Sequence, residues 1–472
     1  MKVLLVSPNI ESLPDPVFPL GLASIAAALK THGIDYSILD LCFADDYDRA
    51  IVSALHDCRP DIVGLSLRNI DNVSWPNYVT YLPFCRRVIE TIREASNARV
   101  VVGGSAFALM PQPLLQYLGA DFGVIGEGEA AFVKLIEDVD DSPLHTECGP
   151  SRIVGTHCDM IGDLDALPCA DRSKFDNEAY LKWGGMGNIQ TKRGCPFQCI
   201  YCTYPIIEGR NVRVRSPERV CDEIEGLLNS GVGNLFFVDN TFNYPMVHAK
   251  AVCREIRSRN LPVKWSCYAN PKFVTPALIT LMQEAGCSSV EFGSDAAENC
   301  MLENLGKNFT VDDLKAASAV CEKAGMAFCH SLIIGGPGET MESVRSTFQA
   351  IDDMAPTAAI CMIGIRMFPG TRLAAIALDE GVIGNDVDFL EPVFYLSSAI
   401  EDEILSFAET FAKDHPTWIF PGMNINMTTD LQHKLRRFGI KGPLWEYMKR
   451  GQKIKRTQVW GTGKRCVVPV GR

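Results

Sequence analysis

Lys192-Arg193-Gly194-Cys195-Pro196-Phe197-Gln198-Cys199-Ile200-Tyr201-Cys202-Thr203-Tyr204 holds three cysteines in a C-x-x-x-C-x-x-C run. Three thiolates this close can wrap one face of an iron–sulfur cube and ligate three of its irons. A cube held by four protein thiolates only stores electrons, whereas one held by three leaves an iron open to a small molecule. The competing readings are a zinc loop and buried free thiols. Zinc needs a fourth ligand, and this spacing is not zinc-like. Cys195, Cys199 and Cys202 are therefore the candidate metal ligands and the expected centre of the chemistry.

The surroundings of the run read as alternating strands and helices. Six short apolar segments, near 188–191, 235–238, 263–267, 290–292, 327–334 and 360–367, predict strands. Ser216-Pro217, Thr275-Pro276 and Thr310 mark helix starts, two of them with proline in the first turn. Six βα units predict a partial (βα)6 TIM barrel over 186–380. The cysteine loop follows the first strand, at the strand C-terminal end where such barrels place their sites.

Residues 1–140 repeat the alternation in a second form. The runs Val3–Val6, Tyr36–Leu39, Ile62–Ser66, Val100–Val102 and Phe122–Ile125 are short and mostly β-branched. They predict a parallel sheet covered on both faces, a doubly wound Rossmann- or flavodoxin-like domain whose ligand lies beyond the strand C-termini. Helices are expected over Leu20–Lys30 and Trp75–Ala95. The alternation lapses over 141–185, a Pro/Gly-rich connector. Residues 381–472 read as mixed and partly helical, with helices near Glu401–Lys413 and Asp430–Phe438 and a break at Phe420-Pro-Gly-Met423.

Composition bounds the function. Apolar content of 47% and charged content of 22% are those of a globular protein, and no apolar run is long enough to span a membrane. The 18 cysteines and the absence of a signal-peptide pattern predict a reducing, cytoplasmic setting. A net charge of −12 argues against nucleic acid as a partner. The charge is uneven: from His433 to Arg472 there are 12 Lys/Arg against one acid, Glu446, so this segment is +11 and the remainder −23. Trp445, Tyr447 and Trp460 sit among those basic residues. The segment reads as a solvated tail or an element docked on the acidic body. It also suits peripheral contact with an anionic membrane, an anionic or lipid-like substrate, or an acidic redox partner.

The cysteine run, with Tyr201 before its third cysteine, resembles the signature of the radical S-adenosylmethionine (SAM) superfamily. The resemblance extends over roughly 186–380. It implies a [4Fe–4S] cluster whose open iron chelates SAM, and reductive cleavage of SAM to a 5′-deoxyadenosyl radical. It also implies a low-potential electron donor such as flavodoxin or ferredoxin. Asp239 and Asn240 match the position facing the SAM amino group. Ser294 and Asp295 match the position contacting ribose or carboxylate, where many relatives carry Glu-Ser. Gly335, Gly336 and Glu339, within Ile334-Gly-Gly-Pro-Gly-Glu-Thr340, match the adenine side. Phe368-Pro-Gly-Thr371 ends the sixth strand as in similar proteins. His330, in the middle of an apolar strand, reads as a satisfied core histidine.

The N-terminal domain resembles the cobalamin-binding domain fused to many radical SAM enzymes. Ser66, Gly103, Gly104, Gly126 and Glu127 carry that likeness. Arg68, Asn69 and Asp71 follow the third strand, where they could position cobalamin or substrate. The Asp-x-His-x-x-Gly element that supplies a histidine to cobalt is missing: the second strand ends Leu39-Asp40-Leu-Cys-Phe-Ala-Asp45. Neither His32 nor His56 suits the role, so cobalamin is expected without a protein histidine ligand. The resemblance implies cobalamin-dependent methylation of an unactivated carbon of a small molecule in a biosynthetic pathway. Its alternative is a cyclase, rearrangement or dehydration enzyme without methyl transfer, possibly without cobalamin.

Overall fold

The computed structural model describes residues 1–12, 14–141 and 152–448. Two parallel sheets organise the chain. The first comprises β1 (Lys2–Ser7), β2 (Asp35–Asp40), β3 (Ile62–Ser66), β4 (Arg99–Gly103), β5 (Phe122–Val124) and β6 (Arg152–Val154), in the order β2-β1-β3-β4-β5-β6. This is the flavodoxin-like order, with its crevice between β1 and β3. β6 comes from the segment read as a connector. The chain therefore adds one strand to the expected five before leaving this domain.

The second sheet runs β7 (Gly187–Ile189), β8 (Asn234–Phe237), β9 (Lys264–Ala269), β10 (Cys287–Asp295), β11 (Ala327–Ile334), β12 (Ala358–Ile363) and β13 (Trp418–Ile419), each paired in parallel with its neighbour. The first six strands are those expected. β13 is added by the C-terminal segment, beside Ala359 and Ile360. The predicted caps form: Ser216 accepts from the Arg219 amide, Thr275 from Leu278, and Thr310 closes a capping box with Asp313. One face of the sheet is buried under helices, where Phe237, Phe242 and Trp265 pack with ring centroids 4.6 to 5.2 Å apart. The other face lines the barrel lumen.

The helix expected over Trp75–Ala95 begins only at Leu82. Residues 68–81 instead form a loop wedged between the domains. The Asn72 side-chain oxygen accepts from the Ser74 and Val79 amides at 3.3 and 2.9 Å, a local bonding scheme that competes with helix. Trp75 lies against Gly364 and Gly422, and a Cβ on Gly422 would come within 2.2 Å of its carbonyl oxygen. Asn77 donates to the Gly422 carbonyl at 2.8 Å. Asp71 forms a buried ion pair with Arg366 Nε at 2.8 Å across the interface. Asp71 is thus a strut between domains and not the cofactor contact expected of it.

The basic segment begins as a docked element. Arg436 is buried and bonds Asp15, Lys441 reaches the Leu181 carbonyl, and Trp445 is buried against the bottom of the barrel. Trp460 and residues 449–472 lie outside the described residues. Among the described residues no helix is long and apolar enough to cross a membrane.

Asp71→Ala leaves the Arg366 charge buried with only carbonyl partners. The expected cost is about 3 kcal/mol, at the lower end for breaking a buried pair. A lowered denaturation midpoint in urea checks it.

Candidate active site

The cysteine loop is held from three sides. Before it, the ribbon Lys192–Arg193 pairs with Arg213–Val214. Arg193 bonds Glu129 at 2.6 Å and Glu127 at 3.1 Å, and Arg213 bonds Glu127 at 2.8 Å. Burial pushes the Glu127 carboxyl up, but Arg213 and Arg193 outweigh it and hold it below the usual carboxylate range. Glu127 also accepts from the Ile161 amide at 2.6 Å. Glu127 therefore clamps the cysteine loop to the first domain rather than facing a cofactor. Gly126 is needed there because a side chain would strike the Thr156 carbonyl.

After it, Ile200 donates to the Leu305 carbonyl at 3.1 Å and its own carbonyl accepts from Leu373 at 2.9 Å. Gly306, at φ +71°, lies so close that a Cβ would be 2.4 Å from the Gln198 carbonyl. This contact brings Lys307 against the cysteines. Lys307 bonds Asp295 at 2.7 Å and lies near the Cys199 thiol. Burial pulls the Lys307 ammonium down, but Asp295 and the Cys199 thiol outweigh that and hold it above the ordinary lysine range. Asp295 also accepts from the Tyr201 hydroxyl. Burial, then Cys199, pushes the Cys202 thiol up to about 12.

Among the described residues no set of three His, Cys, Asp or Glu is gathered tightly enough to hold a single metal ion. A cavity of ≈ 360 Å³ opens beside Cys199 and Cys202, with Arg210 and Arg372 on its rim.

The other expected positions divide. Asp239 is fully buried and engaged: it accepts from the Thr191 amide and hydroxyl at 2.6 Å each and lies 3.5 Å from Lys192 Nζ. It ties the first two barrel strands together and has no oxygen left for an external ammonium. Asn240 keeps one oxygen unengaged. Its amide donates to Glu208 at 2.7 Å, while its buried carbonyl oxygen has no partner. Glu208, which sequence reasoning missed, also accepts from the Gly194 amide at 3.0 Å, so it sits at the cysteine loop. Ser294 is turned away, hydrogen-bonded to His330 Nδ1 at 2.7 Å. His330 also bonds Ser318, and burial lowers its pKa to about 3, so it is a neutral core histidine as read. Glu339 accepts from the Gly335 and Gly336 amides at 3.0 and 3.4 Å and so shapes its own turn. Gly335 and Gly336 make room for Leu396 and Leu305, not for an open ring site.

At the sheet edge of the first domain, Ser66 ends β3 and is half-buried, as is Asn69, while Arg68 is exposed. Gly104 is at φ +99°, and a Cβ there would lie 2.5 Å from the Leu67 carbonyl. A Cβ on Gly103 would meet only ordinary contacts with Val124. Arg68 is close enough to Tyr204 and Tyr268 of the barrel to lower both phenol pKa values against larger opposing influences, chiefly burial for Tyr204 and Glu291 for Tyr268. Tyr204 and Tyr268 are 45% and 42% exposed although both lie between the domains, which marks an open chamber there. His32 caps its own helix on the Ala28 carbonyl, and His56 pairs with Asp57 on the surface.

The B12 binding domain family matches residues 6–136, and the Radical SAM superfamily matches residues 189–351. The chain is a radical SAM enzyme with an N-terminal B12-binding domain. Its cofactors are a [4Fe–4S] cluster, SAM and cobalamin. The tryptophan 2-C-methyltransferase of Streptomyces laurentii is 26% identical over 79% of this chain and 74% of its own. The anaerobic magnesium-protoporphyrin IX monomethyl ester cyclase of Rubrivivax gelatinosus is 26% identical over 76% of this chain and 67% of its own. Among solved structures, the radical SAM methyltransferase TsrM of Kitasatospora setae, with cobalamin and a [4Fe–4S] cluster bound, is 25% identical. It superimposes with a TM-score of 0.82, over 97% of this chain and 98% of that one.

The residues present fit these groups. The three thiols, with the Lys307 ammonium beside Cys199, suit an anionic thiolate-bound cluster. The unpartnered Asn240 oxygen suits an ammonium donor. The exposed faces of Tyr204 and Tyr268 near Arg68 leave room for a cofactor there. Removing the positive charge with Lys307→Met destabilises the reduced, more negative cluster. The expected result is a lower cluster reduction potential at unchanged iron content, read by EPR-monitored redox titration.

Proposed function

We propose that this radical SAM enzyme is a cobalamin-dependent C-methyltransferase acting on an unactivated carbon of a small molecule. The supporting observation is the juxtaposition of two edges. The strand ends carrying Ser66, Arg68, Asn69, Gly103 and Gly104 overlook the barrel mouth that carries Cys195, Cys199 and Cys202. When bound, the cluster supplies the electron for SAM cleavage and cobalamin supplies a methyl carrier.

The chain's own residues set the geometry. Cys195, Cys199 and Cys202 hold the cluster. Asn240, backed by Glu208, receives the SAM ammonium. Lys307, steadied by Asp295 and Tyr201, balances charge at Cys199. Ser66, Gly103 and Gly104 lie at the strand ends that would receive cobalamin, and Arg68 stands beside them. The clamped interface keeps the reacting groups in line and limits water. A low-potential donor reaches the cluster from the side of Arg210 and Arg372, which suits an acidic flavodoxin or ferredoxin. The 16 cysteines of the described residues are all unpaired thiols, which supports a reducing cytoplasmic setting.

The decisive test uses protein purified without oxygen from cells supplied with cobalamin, incubated with SAM labelled at its methyl carbon. Label recovered on cobalamin supports the reading. SAM cleavage by cobalamin-free protein contradicts it and favours the cyclase, rearrangement or dehydration alternative. For the donor face, Arg210→Glu with Arg372→Glu is expected to slow cluster reduction by flavodoxin at least tenfold at low salt and to leave reduction by dithionite unchanged. Equal rates with flavodoxin would remove this face from the account.

A further inference from the structure

The lumen face of the barrel sheet carries a carboxylate that no step above uses. Along β9 to β12 the residues alternate. Trp265, Cys267, Val290, Phe292 and Phe328 go under the helices. The opposite set, which includes Tyr268, Glu291, Ser331, Ile333, Ile360 and Met362, faces the lumen. Tyr268 stands directly beside Glu291 in register, and Ser331 beside Ile360. Glu291 is therefore the acid of a lumen wall that is otherwise apolar, aromatic or hydroxylic at these positions.

One neutral donor fixes its position: Ser331 Oγ donates at 2.6 Å, and the Trp445 side chain lies close by. Trp445 belongs to the short helix Leu444–Tyr447, which closes the floor of the barrel. The neighbouring Glu446 anchors that floor by accepting from Ser288 at 2.9 Å and Ser289 at 2.6 Å. No Lys, Arg or His of the described residues forms an ion pair with Glu291. Asp239 has Lys192, Asp295 has Lys307 and Asp71 has Arg366; Glu208 and Glu339 also form no ion pair, but backbone amides and neighbouring side chains occupy their oxygens. An enclosed carboxylate without a cation is costly unless something else balances it. Burial accordingly pushes the Glu291 carboxyl above its usual range.

The space beside Glu291 is open, as the exposure of Tyr268 shows, and Arg68 lies close to Tyr268. Its lining is that of a ligand site: mostly apolar walls with a few placed polar groups. We infer that Glu291, held by Ser331, is the specificity-determining anchor of the substrate pocket, and that it selects a small molecule carrying an ammonium or other cationic N–H group on an apolar or aromatic body. This rests on the reading that the lumen holds the methyl acceptor. It replaces the missing counter-charge with one brought by substrate.

The test compares 2-phenylethylamine with its near-isostere 3-phenylpropionate, by calorimetric titration into the holoenzyme. Iron and cobalamin contents are measured on the same samples. The expected result is saturable binding of the amine, at least tenfold tighter than the carboxylate. Glu291→Gln should abolish that preference with both cofactors retained, and Ser331→Ala should weaken it. Equal binding of the two probes, no binding of the amine, or an unaltered preference in Glu291→Gln would overturn the inference. Loss of cobalamin from the wild-type protein would instead count against the methyltransferase reading, so the two failures are separable.

Discussion

Everything at the site depends on the ion-pair clamp between Glu127 and Glu129 of the first domain and Arg193 and Arg213 of the second. These are the residues on either side of the step from flavodoxin-like sheet to cysteine loop. Buried ion pairs add little net stability because desolvation offsets most of the attraction. What they provide here is position. A carboxylate that bonds two guanidinium groups and the Ile161 amide has few other places to go. The Lys192–Arg193 ribbon is thereby fixed, and Cys195 follows two residues later. Asp71 and Arg366 repeat the device on the far side of the interface. The two domains therefore meet with their strand C-termini facing one another, and the chemistry occupies the space between.

The second constraint is the close packing of the Leu305–Lys307 turn on the cysteine loop. Gly306 permits an approach that no other residue allows, and Lys307 rides on it to a position near Cys199. A charge placed this way acts on the cluster through its position, not through a bond to iron. Tyr201 and Asp295 complete the arrangement from the cysteine loop and the end of β10. Its cost is a lysine nearly out of water, offset by Asp295 at 2.7 Å.

Much of this was legible in the chain itself. The strands were readable because short β-branched runs alternate with capped helices, and Ser216, Thr275 and Thr310 fold as caps for the reason that predicted them. The site was legible where function is local, as in the cysteine run. It was not legible where a partner comes from a distant part of the chain. Glu127 and Asp71 were read as cofactor contacts because nothing in one dimension shows that Arg193, Arg213 and Arg366 meet them. Asp239 and Glu339 sit at strand ends as expected, but their oxygens are taken by backbone amides and neighbouring side chains. Residues 75–81 imitate a helix face with Trp75, Tyr78 and Tyr81, yet Asn72 bonds the backbone locally and the aromatics serve the domain interface. β13, two residues long, gives no periodic signal. Lys307 and Glu208 carry no motif that would single them out.

The claim that the two domains are clamped with their cofactors facing one another is tested most directly by EPR of the anaerobic holoenzyme with both centres paramagnetic. The account predicts that reduction of the cluster broadens and relaxes the cobalt(II) signal through magnetic coupling across the shared chamber. The cobalt spectrum should also show no nitrogen splitting from a histidine. A cobalt(II) signal unchanged by the redox state of the cluster, or one split by a histidine nitrogen, would contradict it.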